Sequence, residues 1–185
     1  MWQELIETLN ELNKTYRALI ALSEKKHKAL IVIDLKSIEA MNGEEAKLTQ
    51  HIRALETKRQ KALIDLAVEN RAITKDTKMK DLARFAPTPN HRLLIEKLHA
   101  ALDASTKRAQ ELAENNRVLI EGALSAVTYH LNRIGGTKVE PTYGSGGQEV
   151  LLHGRNFEYD LIYFLVLLYT LPLQHPLYRA DQFFH

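Results

Sequence analysis

The chain is 185 residues long, with 26% charged residues, a net charge of only +2 and no cysteine. That length fits one domain, or one domain with a tail, and the near-neutral balance provides no field that would favour nucleic acid or an anionic membrane. Without cysteine there are no disulfides, thiolate metal sites or cysteine nucleophiles, which fits a reducing compartment.

The opening MWQELIETLNEL places acidic residues where a signal peptide needs a basic start and an apolar core, so export by that route is not expected. No proline precedes Pro87, and six of the eight glycines fall between Gly135 and Gly154. Residues 1–134 therefore read as long helices and the remainder as something different. In the first helix Leu5, Leu9, Leu12, Tyr16, Leu19, Leu30 and Ile33 recur at steps near three and four, with Ser23 and Lys26 interrupting the seam. This is an amphipathic stripe at coiled-coil-like spacing.

Asp34 suits an N-cap, because its carboxylate can accept the free N–H groups of the next turn. The second helix is predicted over about 35–70, with Leu48, Ile52, Leu55, Ala62 and Leu66 on its seam and Asn42-Gly43 as a kink or short break. Residues 74–90 contain Pro87 and Pro89 and read as a connector with one helical turn at 80–85. Asn90 is the predicted N-cap of a third helix, whose apolar positions include Leu94, Leu98, Leu102, Leu112, Leu119, Ala123 and Ala126. Arg133 complements the dipole at its end, and Gly135-Gly136 supplies the left-handed residue that closes many helices.

The expected fold is all-α: an elongated antiparallel bundle of three long helices with a flexible C-terminal tail. Residues 1–134 would form the helical domain, 135–149 a Gly/Pro-rich tail carrying the isolated Tyr143, and 150–185 an apolar extension. Narrow stripes on long helices bury less than a compact globule, so a partner surface or a second copy is expected. The extension has no Lys, Arg, Asp or Glu between Asp160 and Arg179, and its apolar centre, LIYFLVLLYTLPL, spans 13 residues. That centre is short of the roughly 20 residues of a membrane span. A tail anchor, a buried amphipathic or strand-like segment, and an unselected end such as translation past a frameshift all remain open.

Little in the chain suggests catalysis. Glu24 with His27 and Glu96 with His99 each place a carboxylate and an imidazole on one helix face, a spacing found in di-iron bundles. That site also needs inward glutamates from two further helices, and Glu24 lies in the charged run EKKHK. Solvated surface pairs are the expectation, with no metal or cofactor. Gly144-Ser145-Gly146-Gly147 lacks the Lys-Ser/Thr ending and the preceding strand of a phosphate loop, so it reads as a linker. No serine or threonine stands beside a base in a pattern that would support nucleophilic catalysis.

Asn115-Asn116 lies mid-helix, where asparagine either fixes register by hydrogen bonding or is merely exposed. Downstream, Ile120, Leu124, Val127, Leu131 and Ile134 form an apolar stripe. Either it packs on the other two helices, or part of it stays open as a groove wall for a partner's amphipathic helix.

Across about residues 5–148 the chain resembles FlgN-type flagellar export chaperones, which escort hook–filament junction proteins. ALIVIDLKSIEAMNGEEAKLTQHIRALETKRQKAL has that family's helix–acidic residue–helix rhythm, and LAENNRVLIEG resembles its Asn-rich helical segment. VEPTYGSGGQ resembles its tail motif of a Pro-Thr pair, a tyrosine followed by glycine, and a Gly-Gln step. The resemblance implies a cytoplasmic chaperone without catalysis. Its C-terminal helical region would bind the helix-prone end of a hook-associated cargo, prevent premature association and deliver the cargo to the export gate. By residue it implies Ile120, Leu124, Val127, Leu131 and Ile134 as cargo contacts, and Tyr143 for docking on the gate's cytoplasmic domain. The apolar end beyond Val150 departs from the family's short polar tail. The rival reading is a structural coiled-coil protein, dimeric or tethered to a membrane through 161–173.

Overall fold

The structure, a computed structural model, describes residues 1–73 and 77–135. Its elements are α1 (Trp2–Val32), α2 (Leu35–Glu69), a single turn α3 (Met79–Leu82) continued by a 3₁₀ turn (Ala83–Phe85), and α4 (Pro89–Gly135). No strand occurs among the described residues, in agreement with the all-α expectation. The three long helices contain 31, 35 and 47 residues.

α1 is the shared partner, packing along both α2 and α4. It therefore buries two faces, and Thr8, Asn13, Thr15, Ser23 and Lys26 join its buried leucines. Cross-helix bonds fix the directions. Asn13 Nδ2 donates to the Leu98 carbonyl at 2.9 Å, Arg108 pairs with Glu24 at 3.2 Å, and His27 Nδ1 meets Asn116 Oδ1 at 2.9 Å. Residue numbers rise together on both helices, so α4 runs parallel to α1. Lys26 Nζ reaches Glu45 Oε2 at 2.7 Å across the tight α1–α2 turn, so α2 runs back against α1. The starts of α1 and α4 thus share one end of the bundle with the 70–88 connector. The α1–α2 turn and the end of α4 share the other, the hairpin end.

The hairpin turn is compact because one residue closes α1 and the next opens α2. Ile33 adopts a left-handed conformation, φ 56° and ψ 42°, and the N–H of Asp34 donates to the Ala29 carbonyl at 3.0 Å. This 6→1 bond caps carbonyls that α1 leaves free. Asp34 then accepts from the Ser37 N–H at 3.2 Å and the Ser37 hydroxyl at 2.6 Å, as its predicted capping role requires. Those bonds hold the Asp34 carboxyl below its ordinary 3.8, the neighbouring Lys36 adding a little. Ile33 itself leaves the predicted stripe: it lies outside the helix and is exposed, since a left-handed residue no longer follows the helical period.

Two further boundaries differ from expectation. α2 passes through Asn42-Gly43 without a break. α4 begins at Pro89 rather than after Asn90, with Thr88 as the cap: its hydroxyl accepts from the His91 N–H at 3.2 Å and its carbonyl from the Arg92 N–H at 3.1 Å. Proline is well suited to the first helical position, where its missing N–H costs nothing and its φ is already helical. The seam at this start is carried by the buried Ile95, whereas the predicted Leu94 is exposed. The connector contributes packing too. Ile73, Leu82 and Ala83 are buried in the main cluster, and Met79, Phe85 and Ala86 pack against it.

Candidate functional site

The core is not continuous. The main cluster holds Leu5, Leu9, Leu12, Tyr16, Ile52, Leu66, Ile95 and Leu102, among others. A small second cluster at the hairpin end consists of Ala29, Ile38, Ile120 and Leu124, with Leu30, Met41, Ala123 and Val127 packed against it. Between the two lies a belt of buried polar groups. Lys26 and Glu45 form a closed ion pair there, and Thr49 and Ser23 are buried beside it. Asn116 Nδ2 donates to the Ser23 carbonyl at 3.2 Å, so its oxygen accepts from His27 Nδ1. That arrangement fixes which imidazole nitrogen carries the proton. The side-chain amide of Asn42 is buried nearby without a partner. Removing the Glu45 carboxylate would take from the buried Lys26 ammonium its 2.7 Å partner, a strongly destabilising change.

The apolar stripe of the third helix divides along this geometry. Ile120 and Leu124 are 3% and 8% exposed, sealed by Ala29 of α1 and Ile38 of α2, while Val127 is half-buried at the edge of that cluster. Leu131 and Ile134 lie on the last turns of α4, where the structure describes the backbone but not these side chains. Those turns extend beyond the hairpin. From the His27–Asn116 contact α1 continues only to Val32, whereas α4 continues to Gly135. At about 1.5 Å per residue, α4 overhangs the end of α1 by roughly 20 Å.

A second stripe on α4 escaped the sequence reading. Val118 and Tyr129 are 56% and 60% exposed, and Gly122 and Ser125 complete a 4-3-4 spacing on the same open face. The signal was present as helical periodicity, but a glycine and a serine at its centre hide it from any count of apolar residues. Upstream, Arg117 bridges Glu114 and Glu121, which keeps its guanidinium charged and the Glu114 carboxyl below its usual range. The end of α4 therefore presents a modest apolar and aromatic face bordered by paired charges.

The other sequence candidates separate. Glu24 pairs with Arg108, and His27 with Asn116; Glu96 pairs with Arg92 at 2.9 Å. His99 is half-buried near Arg59 and Lys80, and burial pushes its imidazole below its ordinary 6.5. The two Glu-x-x-His pairs stand about 25 Å apart along α4 by helical rise. Among the described residues no three His, Asp or Glu side chains gather as a metal-holding group. No helix among them is long and apolar enough to cross a membrane. Tyr143, the glycine-rich peptide 144–147 and the segment 161–173 lie outside the described residues.

Comparison with known proteins gives one family. A family model described as "FlgN protein" matches residues 1–150. No curated protein and no solved structure matches the chain.

Proposed function

The chain belongs to the FlgN family of flagellar export chaperones, and on that premise we propose that it receives the C-terminal helical segment of a hook-associated junction protein on the far end of α4 and hands it to the cytoplasmic domain of the export gate. The observation that carries this reading is the overhang of α4, an amphipathic helix end that outruns both helices supporting it. On it Val127, Leu131 and Ile134 form the candidate cargo wall, and Ile120 and Leu124 anchor that wall to the hairpin from beneath. Val118 and Tyr129 extend the same region on its open face. A cargo terminus that is unfolded when free must order as it docks, which costs about 2–5 kcal/mol or more and keeps the complex releasable in the cytoplasm.

The tail that follows α4 carries Tyr143 in VEPTYGSGGQ. We assign this tyrosine to the gate, so that cargo and gate are held by separate parts of one chain. Joining the two binding events raises the effective concentration of cargo at the gate. Binding of a Tyr143→Ala variant to a junction protein and to the isolated cytoplasmic gate domain tests the arrangement. Gate affinity should fall at least tenfold with cargo affinity unchanged, and parallel loss of both would sink the two-site reading.

A further inference from the structure

Ile120 and Leu124 are the buried members of the proposed cargo wall, and the chain itself occupies them. Ala29 from the last turn of α1 and Ile38 from the first turn of α2 lie on them, with Leu30 and Met41 at the edges. Both covering side chains project from helices, so this face of α4 already receives apolar groups at helical spacing. What covers it is thus a model of what else would fit there.

The cover is weakly fastened. Ala29 and Ile38 are its buried apolar contacts, while Ile31, Val32 and Ile33 at the turn face outward and add no packing. Ile33 also holds a left-handed backbone, φ 56°, that a β-branched residue tolerates poorly. One helical turn on from Ile38, both polar atoms of the Asn42 side chain are buried without a partner. A buried amide with no partner penalises the closed state, and opening to water relieves it. Below the tip, the belt of Lys26, Glu45, Ser23 and Asn116 separates it from the main cluster. The tip therefore has a route to open that leaves Leu9, Leu12 and Ile52 packed.

We propose that the α1–α2 tip, residues 29–41, is an autoinhibitory cover over Ile120 and Leu124 that an incoming amphipathic helix displaces. The inference rests on the cargo reading given above: the cargo's helical segment takes the places of Ala29 and Ile38 on α4. Binding then draws on the open population, so apparent affinity falls as the closed state is stabilised. Until cargo arrives, the closed tip keeps the deep part of the wall out of water.

The test uses the full-length chain and a fluorescently labelled synthetic peptide of a junction protein's C-terminal helical segment. The wild type is compared with two variants whose side chains lie outside the cargo wall. Ile38→Ala removes the cover's most buried contact and should bind the peptide about tenfold more tightly. Asn42→Leu replaces the unpartnered amide with an apolar group of similar size and should bind about threefold more weakly. Unchanged helical circular dichroism will show that each variant folds. Deuterium exchange gives a second readout: in the wild type the peptide should speed exchange of the amides of 29–38 while slowing those of 120–127. Slowed exchange in both stretches would overturn displacement, as would equal affinity in all three chains. Weaker binding by Ile38→Ala would also overturn it and make the tip part of the cargo surface. Failure of all three chains to bind the peptide would instead refute the cargo reading, and displacement with it.

Discussion

Asn116 directs both halves of its amide at α1, donating to the Ser23 carbonyl and accepting from His27. Replacement by alanine removes both bonds and leaves the His27 ring nitrogen without its partner in a part-buried place, while the Ser23 carbonyl keeps its bond within α1. Asn116→Ala should therefore lower unfolding free energy by about 2 kcal/mol in urea titrations. Its exposed neighbour offers the contrast: Asn115→Ala should leave stability level or slightly raised, because alanine is the better helix former. His99 sets an expectation in pH. Its imidazole is held below 6.5 by burial, assisted by Arg59 and Lys80 and opposed by Asp103. The unfolded chain then takes up a proton that the folded chain resists. Its contribution is fully present above 6.5 and is lost as pH falls below that value. Urea titrations across that range should show a shallower acid-side decline in His99→Gln than in the wild type.

At the scale of the elements, much was legible because helices announce their ends chemically. Asp34 caps α2 where its side chain said it would, α2 closes at Glu69 against an expected end near residue 70, and the helical turn at 79–85 lies almost where the connector pattern put it. What could not be read was burial of polar residues. Ser23 and Lys26 looked like gaps in an apolar seam, yet both are buried seam residues: the Lys26 ammonium pairs with Glu45 of α2, and Ser23 offers its backbone carbonyl to Asn116 of α4. Periodicity registers side-chain type and is blind to a partner many residues away. For the stripe on α4 the spacing left two alternatives open, packing or an open wall, and Ile120 and Leu124 take the first, covered by Ala29 and Ile38. Two helical glycines give the prediction that belongs here. A methyl group added at Gly43 or Gly122 would meet nothing within 4 Å. Gly43→Ala and Gly122→Ala should each stabilise the fold by about 1 kcal/mol, read from the urea midpoint at constant m-value.

Over the whole molecule the division of the core into a large and a small cluster predicts two tiers of opening. The hairpin end rests on four buried side chains and is separated from the main cluster by polar groups. Backbone amides near Ala29 and Ile38 should exchange with deuterium through an opening of lower free energy than those around Leu9, Leu12 and Ile52. A single exchange tier shared by both regions would mean that the polar belt transmits cooperativity instead of interrupting it. Such an opening would also uncover Ile120 and Leu124, the buried members of the proposed cargo wall.

The lengthwise polarity of the bundle has a consequence for observing it. Trp2, the single tryptophan, packs against the main cluster at the connector end. By helical rise it stands about 45 Å from the α1–α2 turn. Its emission therefore reports the melting of the main cluster and stays dark to events at the far tip. A titration followed only by tryptophan fluorescence would score a firmly seated partner there as no binding at all. A dye placed on the last turns of α4 would be needed to see it.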